Sequence, residues 1–206
     1  MTDFEMLRKD LILLSPEEFY VKHILKSHNW YFSEYLKIPK DQLIDKMDAF
    51  KEIISKKFGI SFHNVQIVGS AKVGYSLSPS KLFVPFQPDQ SDIDIAIVSE
   101  KLYSHFWESF RKLQGRFAVY NTNHYVYIAK SIYRGFINEK DLKCFPEIKK
   151  DWISKSSPAN LILQDKMNFE QEITYRIYRS WDDLEEYQLS SITTARKRIL
   201  EGEYNA

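Results

Sequence analysis

The chain is poor in the residues that would tie it together covalently or carry it into a membrane. Its one cysteine is Cys144, which excludes an internal disulfide and a cysteine-ligated zinc cluster. No apolar run approaches the ~20 residues of a membrane-spanning helix. The opening Met1-Thr2-Asp3-Phe4-Glu5 lacks the basic and apolar regions of a signal peptide. The reading is therefore a cytoplasmic protein with no membrane partner. Charge of one sign is lacking too: 29 Lys and Arg face 28 Asp and Glu, a net charge of +1. A duplex-binding protein announces itself by a basic surplus, and the small clusters Lys149-Lys150 and Arg196-Lys197-Arg198 read as solvated helix faces. Core material is plentiful. With 206 residues, 44% of them hydrophobic and 15% aromatic, the chain suits one domain, or a core domain with a helical appendage.

The most informative stretch runs from Asn64 to Glu100. Val65-Gln66-Ile67-Val68 reads as a short apolar strand, and Gly69-Ser70 as the turn that follows it. After a short helix and a polar loop comes Ser91-Asp92-Ile93-Asp94-Ile95-Ala96-Ile97-Val98. Here Ile93, Ile95 and Ile97 alternate with the acids, so Asp92 and Asp94 share one face of a strand. Two carboxylates one pleat apart repel unless a cation lies between them. Mg²⁺ suits the pair, because it binds through one or two carboxylates and keeps positions for water and phosphate oxygens. A Gly-Ser turn leading into a helix offers backbone N–H groups and a hydroxyl to a phosphate.

Gly69-Ser70, then Gly74-Tyr75-Ser76, then Asp92-Ile93-Asp94 resemble the signature of the nucleotidyltransferase superfamily, whose fold is like that of DNA polymerase β. The motif match covers about 35 residues, and the flanking helices extend it to roughly half the chain. The resemblance implies an α/β (α+β) fold with a small mixed sheet, helices packed on one face, and helical extensions at both ends. It implies a single domain over 1–206: a helical extension at 1–38, a core with both motifs at 39–115, and the remaining strands with a terminal helix at 116–206. The segment between Gly74 and Asp92 departs from small family members in its length and in carrying Pro79, Pro85 and Pro88. It is a candidate cover for the nucleotide or contact for an acceptor.

The flanking chain supports this layout. Residues 3–14 have helical character, and Ser15-Pro16-Glu17-Glu18 marks a new helix start. An aromatic-rich segment follows to Leu36, with Trp30, Tyr31 and Tyr35, and with His23 and His28 lacking metal-ligand spacing. Leu43, Met47, Phe50, Ile54 and Phe58 form one helical stripe closed by Gly59, and Leu102, Phe106, Phe110 and Leu113 another closed by Gly115. Residues 116–165 are least legible: Val119-Tyr120 reads as a strand, Val126–Phe136 as a helix, and Asp141–Ser154 as helical with a break at Pro146. Glu172–Arg179 alternates as a strand, and Ser180 with Asp183 opens a helix that Gly202 ends.

The resemblance also implies two magnesium ions and three carboxylates. Asp92 and Asp94 are the first two catalytic, metal-binding acids. On the strand 172–179, Glu172, Thr174, Arg176 and Tyr178 share a face, which makes Glu172 the candidate third acid and Glu170 the fallback. Gly69, Ser70, Lys72, Gly74, Ser76 and Arg176 are the candidate nucleotide-binding residues. The implied activity is transfer of a nucleoside monophosphate from an NTP or dNTP to a hydroxyl, with release of pyrophosphate. The acceptor stays open: a partner protein or effector encoded nearby, a small molecule, or a growing signal oligonucleotide in antiphage defence. Tyr204, beyond Gly202, is a candidate primer or modification site, similar to the tyrosine priming of Hailong-type nucleotidyltransferases. The competing class is a degenerate member that binds nucleotide as a sensor or antitoxin-like partner without catalysis.

Overall fold

The computed structural model describes residues 4–113 and 123–202. The fold is α+β, one small mixed four-stranded sheet among many helices. The first helices are α1 (Phe4–Leu13), α2 (Pro16–Tyr20) and α3 (Leu43–Phe58). Strand β1 (Val65–Val68) leads into α4 (Ser70–Val73), and β2 (Ile93–Val98) into α5 (Glu100–Leu113). Then come α6 (Asn123–Tyr133), β3 (Phe136–Asn138), α7 (Glu139–Lys143), α8 (Pro146–Met167), β4 (Ile173–Tyr178) and α9 (Trp181–Leu200). The strand order is β1-β2-β4-β3, with β3 and β4 antiparallel and Asn138 opposite Arg176.

Local chemistry explains most boundaries. Ser15 Oγ accepts from Glu18 N at 3.1 Å while Glu18 Oε2 accepts from Ser15 N at 2.9 Å, a reciprocal cap at the start of α2. At α9, Ser180 Oγ accepts from Asp183 N at 3.1 Å and donates to Asp183 Oδ2 at 2.7 Å. Two segments wind more widely than α-helix: Val21–Leu25 and Tyr31–Tyr35 are π-helical turns. The helix read over Val126–Phe136 is corrected at its end. Gly135, at φ +75°, closes it and Phe136 begins β3. The helix read to Ser154 runs on through Pro158 to Met167. Val119, Tyr120 and Gly115 lie outside the described residues.

The chain divides into two compact units. The first comprises Met1–Met47, Ile67–Asp94 and Glu185–Ala206. Its core joins Leu7 and Leu11 of α1, Phe19 and Tyr20 of α2, Leu82 and Phe83, and Ile192 and Ala195 of α9. Beside it, buried Asp10 accepts hydrogen bonds from Lys22 at 2.6 Å and from His23 Nε2 at 2.8 Å. Burial would raise the Asp10 pKa, but these two partners outweigh it and hold the carboxyl below its ordinary value.

The second unit comprises Asp48–Gln66 and Ile95–Leu184. Its centre is Trp152, fully buried, with Phe58, Phe106 and Tyr175 at ring-centroid distances of 5.3, 5.8 and 5.5 Å. Buried Glu139 satisfies the polar edge of this cluster, accepting from Trp152 Nε1 at 2.9 Å, Tyr175 N at 3.1 Å and Lys143 at 2.7 Å. One carboxylate thus answers an indole and a strand amide that would otherwise be unpaired in the interior, and its own charge is met by the exposed Lys143. Replacing Trp152 by Ala is expected to lower the unfolding free energy by about 3–5 kcal/mol in a denaturant titration, whereas a loss below about 1 kcal/mol would contradict its central place.

Candidate functional site

The glycine-serine turn and the second aspartate meet within the first unit. Gly69, at φ +67° and ψ −151°, occupies backbone space open to glycine alone. A Cβ built there would lie 2.7 Å from Asp94 Oδ2. Backbone strain and steric overlap therefore exclude other residues independently. From Gly69 the chain enters α4, whose Ala71 and Val73 are buried, and Gly74 at φ +88° ends it with its N–H on Ser70 O at 2.8 Å. Asp94 lies on β2 between Ile93 and Ile95, both buried, and Asp92 immediately precedes the strand. The two aspartates keep partial exposure while their isoleucine neighbours go to the core.

The remaining nucleotide candidates of this unit have defined partners. Lys72 is half-buried and donates from Nζ to Ser27 O at 2.8 Å, so its ammonium is tied to the end of the first π-helical segment. Burial pushes its pKa down to about 8. Ser76 Oγ accepts from Ser78 N at 3.2 Å, and the Ser76 backbone pairs with Phe83 and Val84. The proline-bearing segment is a packed hairpin. Tyr75 bridges to Pro85, Phe86 N donates to Gly74 O at 2.8 Å, and Arg198 donates to Pro79 O. Leu82, Phe83 and Phe86 are buried.

Glu172 and Arg176 belong to the second unit. Glu172 is exposed just before β4, and Glu170 is exposed as well. Arg176 donates from Nε to Asn138 Oδ1 at 3.1 Å and from Nη1 to Tyr178 Oη at 3.3 Å, with its guanidinium 5.0 Å from the Phe136 ring centroid. Among the described residues no group of three or more His, Cys, Asp and Glu is placed to hold a metal ion. Tyr204 lies outside the described residues.

Trp30 is the neighbour that sequence reading did not assign to the site. Its indole Nε1 would lie 2.8 Å from a Cβ at Gly74, and its ring centroid is 5.5 Å from that of Phe86. The aromatic richness of the segment was visible, but no spacing rule links Trp30 to Gly74.

No family model matches the chain, and the comparisons found no matching curated protein or solved structure. The donor set of the site is oxygen-only, the half-exposed carboxylate of Asp94 against the Gly69 turn with half-exposed Asp92 two residues earlier in the chain, and this suits a hard cation that shares its shell with phosphate oxygens. Among the described residues no helix is long and apolar enough to cross a membrane.

Two outcomes follow from this geometry. Gly69→Ala should destabilise the protein by roughly 1–3 kcal/mol from backbone strain alone, with overlap against Asp94 added. In an Asp94→Ala background the overlap disappears, so the cost of Gly69→Ala should fall by about 1 kcal/mol; equal costs in both backgrounds would contradict the close approach. For Lys72, the folded pKa of about 8 lies below the ordinary 10.5. The unfolded chain then binds more protons between those values, so this group costs stability below pH 8 and the cost lifts as pH rises toward 10.5. Lys72→Met should accordingly gain on the wild type at pH 7 and lose that gain by pH 10.5, measured by denaturant titration at each pH. A pH-independent difference would contradict the buried ammonium.

Proposed function

We propose that the protein is a magnesium-dependent nucleotidyltransferase that moves a nucleoside monophosphate from a nucleoside triphosphate to a hydroxyl acceptor. The observation that carries this reading is that Asp94 Oδ2 occupies the space a side chain at Gly69 would take. It brings a turn chemically suited to phosphate beside a carboxylate suited to a divalent cation. The half-exposure of Asp92 and Asp94 supports the same reading.

The residues divide the work by charge. Gly69 leaves room for the Asp94 carboxylate against the turn, and Ser70 adds a hydroxyl donor for a phosphate oxygen. Asp92 and Asp94 would hold magnesium. Magnesium, when bound, neutralises phosphate charge and makes the acceptor hydroxyl easier to deprotonate. The acceptor oxygen, having released its proton, bonds to the α-phosphorus. The bond from that phosphorus to the bridging oxygen breaks, and pyrophosphate leaves. A partner protein, a small molecule, a growing oligonucleotide in antiphage defence and Tyr204 of the chain itself remain acceptors within this reading.

A second reading, a nucleotide-binding sensor or antitoxin-like partner without catalysis, is favoured by one observation. Among the described residues no three metal-ligating side chains are gathered. One experiment separates the two. The protein is incubated with Mg²⁺ and each α-labelled ribo- and deoxyribonucleoside triphosphate, beside Asp92→Ala/Asp94→Ala. Transfer of label, at least about 100-fold reduced in the double variant, is the expected result for acids acting on the transition state. Nucleotide binding that is indifferent to Mg²⁺, with no transfer, would replace this proposal by the second reading.

A further inference from the structure

The aromatic cluster beside the phosphate turn has no role in the chemistry above. Trp30, Tyr31, Tyr35 and Phe86 pack together, with Trp30, Tyr31 and Tyr35 at centroid distances of 5.5, 5.8 and 5.8 Å from Phe86. Tyr31 and Phe86 are buried, while Trp30 and Tyr35 keep part of their surface exposed. The Trp30 pyrrole edge, Nε1, Cδ1 and Cε2, fills the space of the absent Gly74 side chain at 2.8–3.0 Å. Gly74 ends the helix that Ser70 begins, so a rise of 1.5 Å per residue places the indole edge about 6 Å along the axis from the turn. A ribose bridges that distance between a phosphate and a base.

We infer that Trp30 is the base-recognition residue of this site: it stacks on the nucleobase of a nucleoside triphosphate whose phosphates lie at Gly69-Ser70. The inference rests on the nucleotidyltransferase reading and adds the part of the substrate that the motifs do not address. Stacking on an aromatic side chain contributes to affinity with little sequence preference, since every base has a π-face. Gly74 serves the arrangement by leaving room for the indole, as Gly69 does for Asp94.

The test compares ligands with and without a base. Affinities for ATP, CTP and inorganic tripolyphosphate are measured with Mg²⁺ for the wild type, Trp30→Ala and Trp30→Phe. Trp30→Ala should weaken ATP and CTP about 30-fold, the middle of the range for one stacked base, and leave tripolyphosphate unchanged. Trp30→Phe should retain most of the nucleotide affinity. Because Trp30→Ala removes packing, a second measurement keeps Trp30 in place. In a Trp107→Phe/Trp181→Phe background, ATP should quench indole fluorescence and tripolyphosphate should not, the remaining Trp152 being fully buried. Equal losses for all three ligands, or nucleotide binding with neither loss nor quenching, would overturn the stacking role while leaving the transferase reading intact. A wild type that binds tripolyphosphate but no better with a base attached would do the same. Absence of binding by any of the three would overturn both.

Discussion

The close approach of Gly69 to Asp94 is the constraint on which the rest of the candidate site depends. The chain must leave β1 and turn into α4 with its backbone at φ +67°, while a carboxylate oxygen occupies the space a side chain would take. Glycine alone meets both conditions. The alternation along β2 supplies the carboxylate: with Ile93 and Ile95 committed to the core, the intervening Asp94 has no choice of face. A slip of one residue would bury the acids and expose the isoleucines, so the hydrophobic core enforces the placement of the polar site.

The turn is supported from behind by residues far away in the chain. Lys72 reaches Ser27 O, and Gly74 receives the edge of Trp30. Both supports come from the segment that carries the two π-helical turns. Wide turns of this kind re-aim side chains relative to a regular helix and recur at functional sites. The buried ammonium of Lys72 is costly, as its depressed pKa records, and a single carbonyl partner offsets only part of the cost. Its hydrogen bond nevertheless gives α4, a helix too short to be stable alone, a fixed seat. The hairpin between Tyr75 and Phe86 adds a further anchor, because Leu82 and Phe83 join the core of the unit. Its prolines rigidify a packed element.

The second unit follows a different logic, in which one buried acid organises an aromatic core. Glu139 joins the indole of Trp152 to the backbone of Tyr175 and to Lys143. Arg176 is similarly held, by Asn138 opposite it on β3 and by Tyr178 two residues along β4. These groups satisfy one another at considerable sequence separation. They show how a polar network can define the ends of strands whose hydrophobic pattern alone would allow several registers.

Much of the architecture was legible because its causes are local. The reciprocal cap of Ser15 and Glu18, the pair Ser180 and Asp183, the stripe of α3 and the alternation of Ile93, Ile95 and Ile97 all act within a few residues. Capping and periodicity therefore suffice to read them. The region 116–165 resisted for equally physical reasons. Gly135 divides what reads as one apolar run into α6 and β3, and α8 absorbs Pro158 because buried Trp152, Ala159 and Leu163 hold it on both sides. By itself the sequence determined the elements of the candidate site, a glycine turn and an alternating acidic strand, since backbone freedom and strand periodicity are properties of neighbouring residues. Tertiary structure alone decided that Asp94 lies against Gly69, that Trp30 fills the space at Gly74, and that Lys72 is spent on Ser27. Those contacts join residues whose proximity depends on how whole elements pack, which no local pattern encodes.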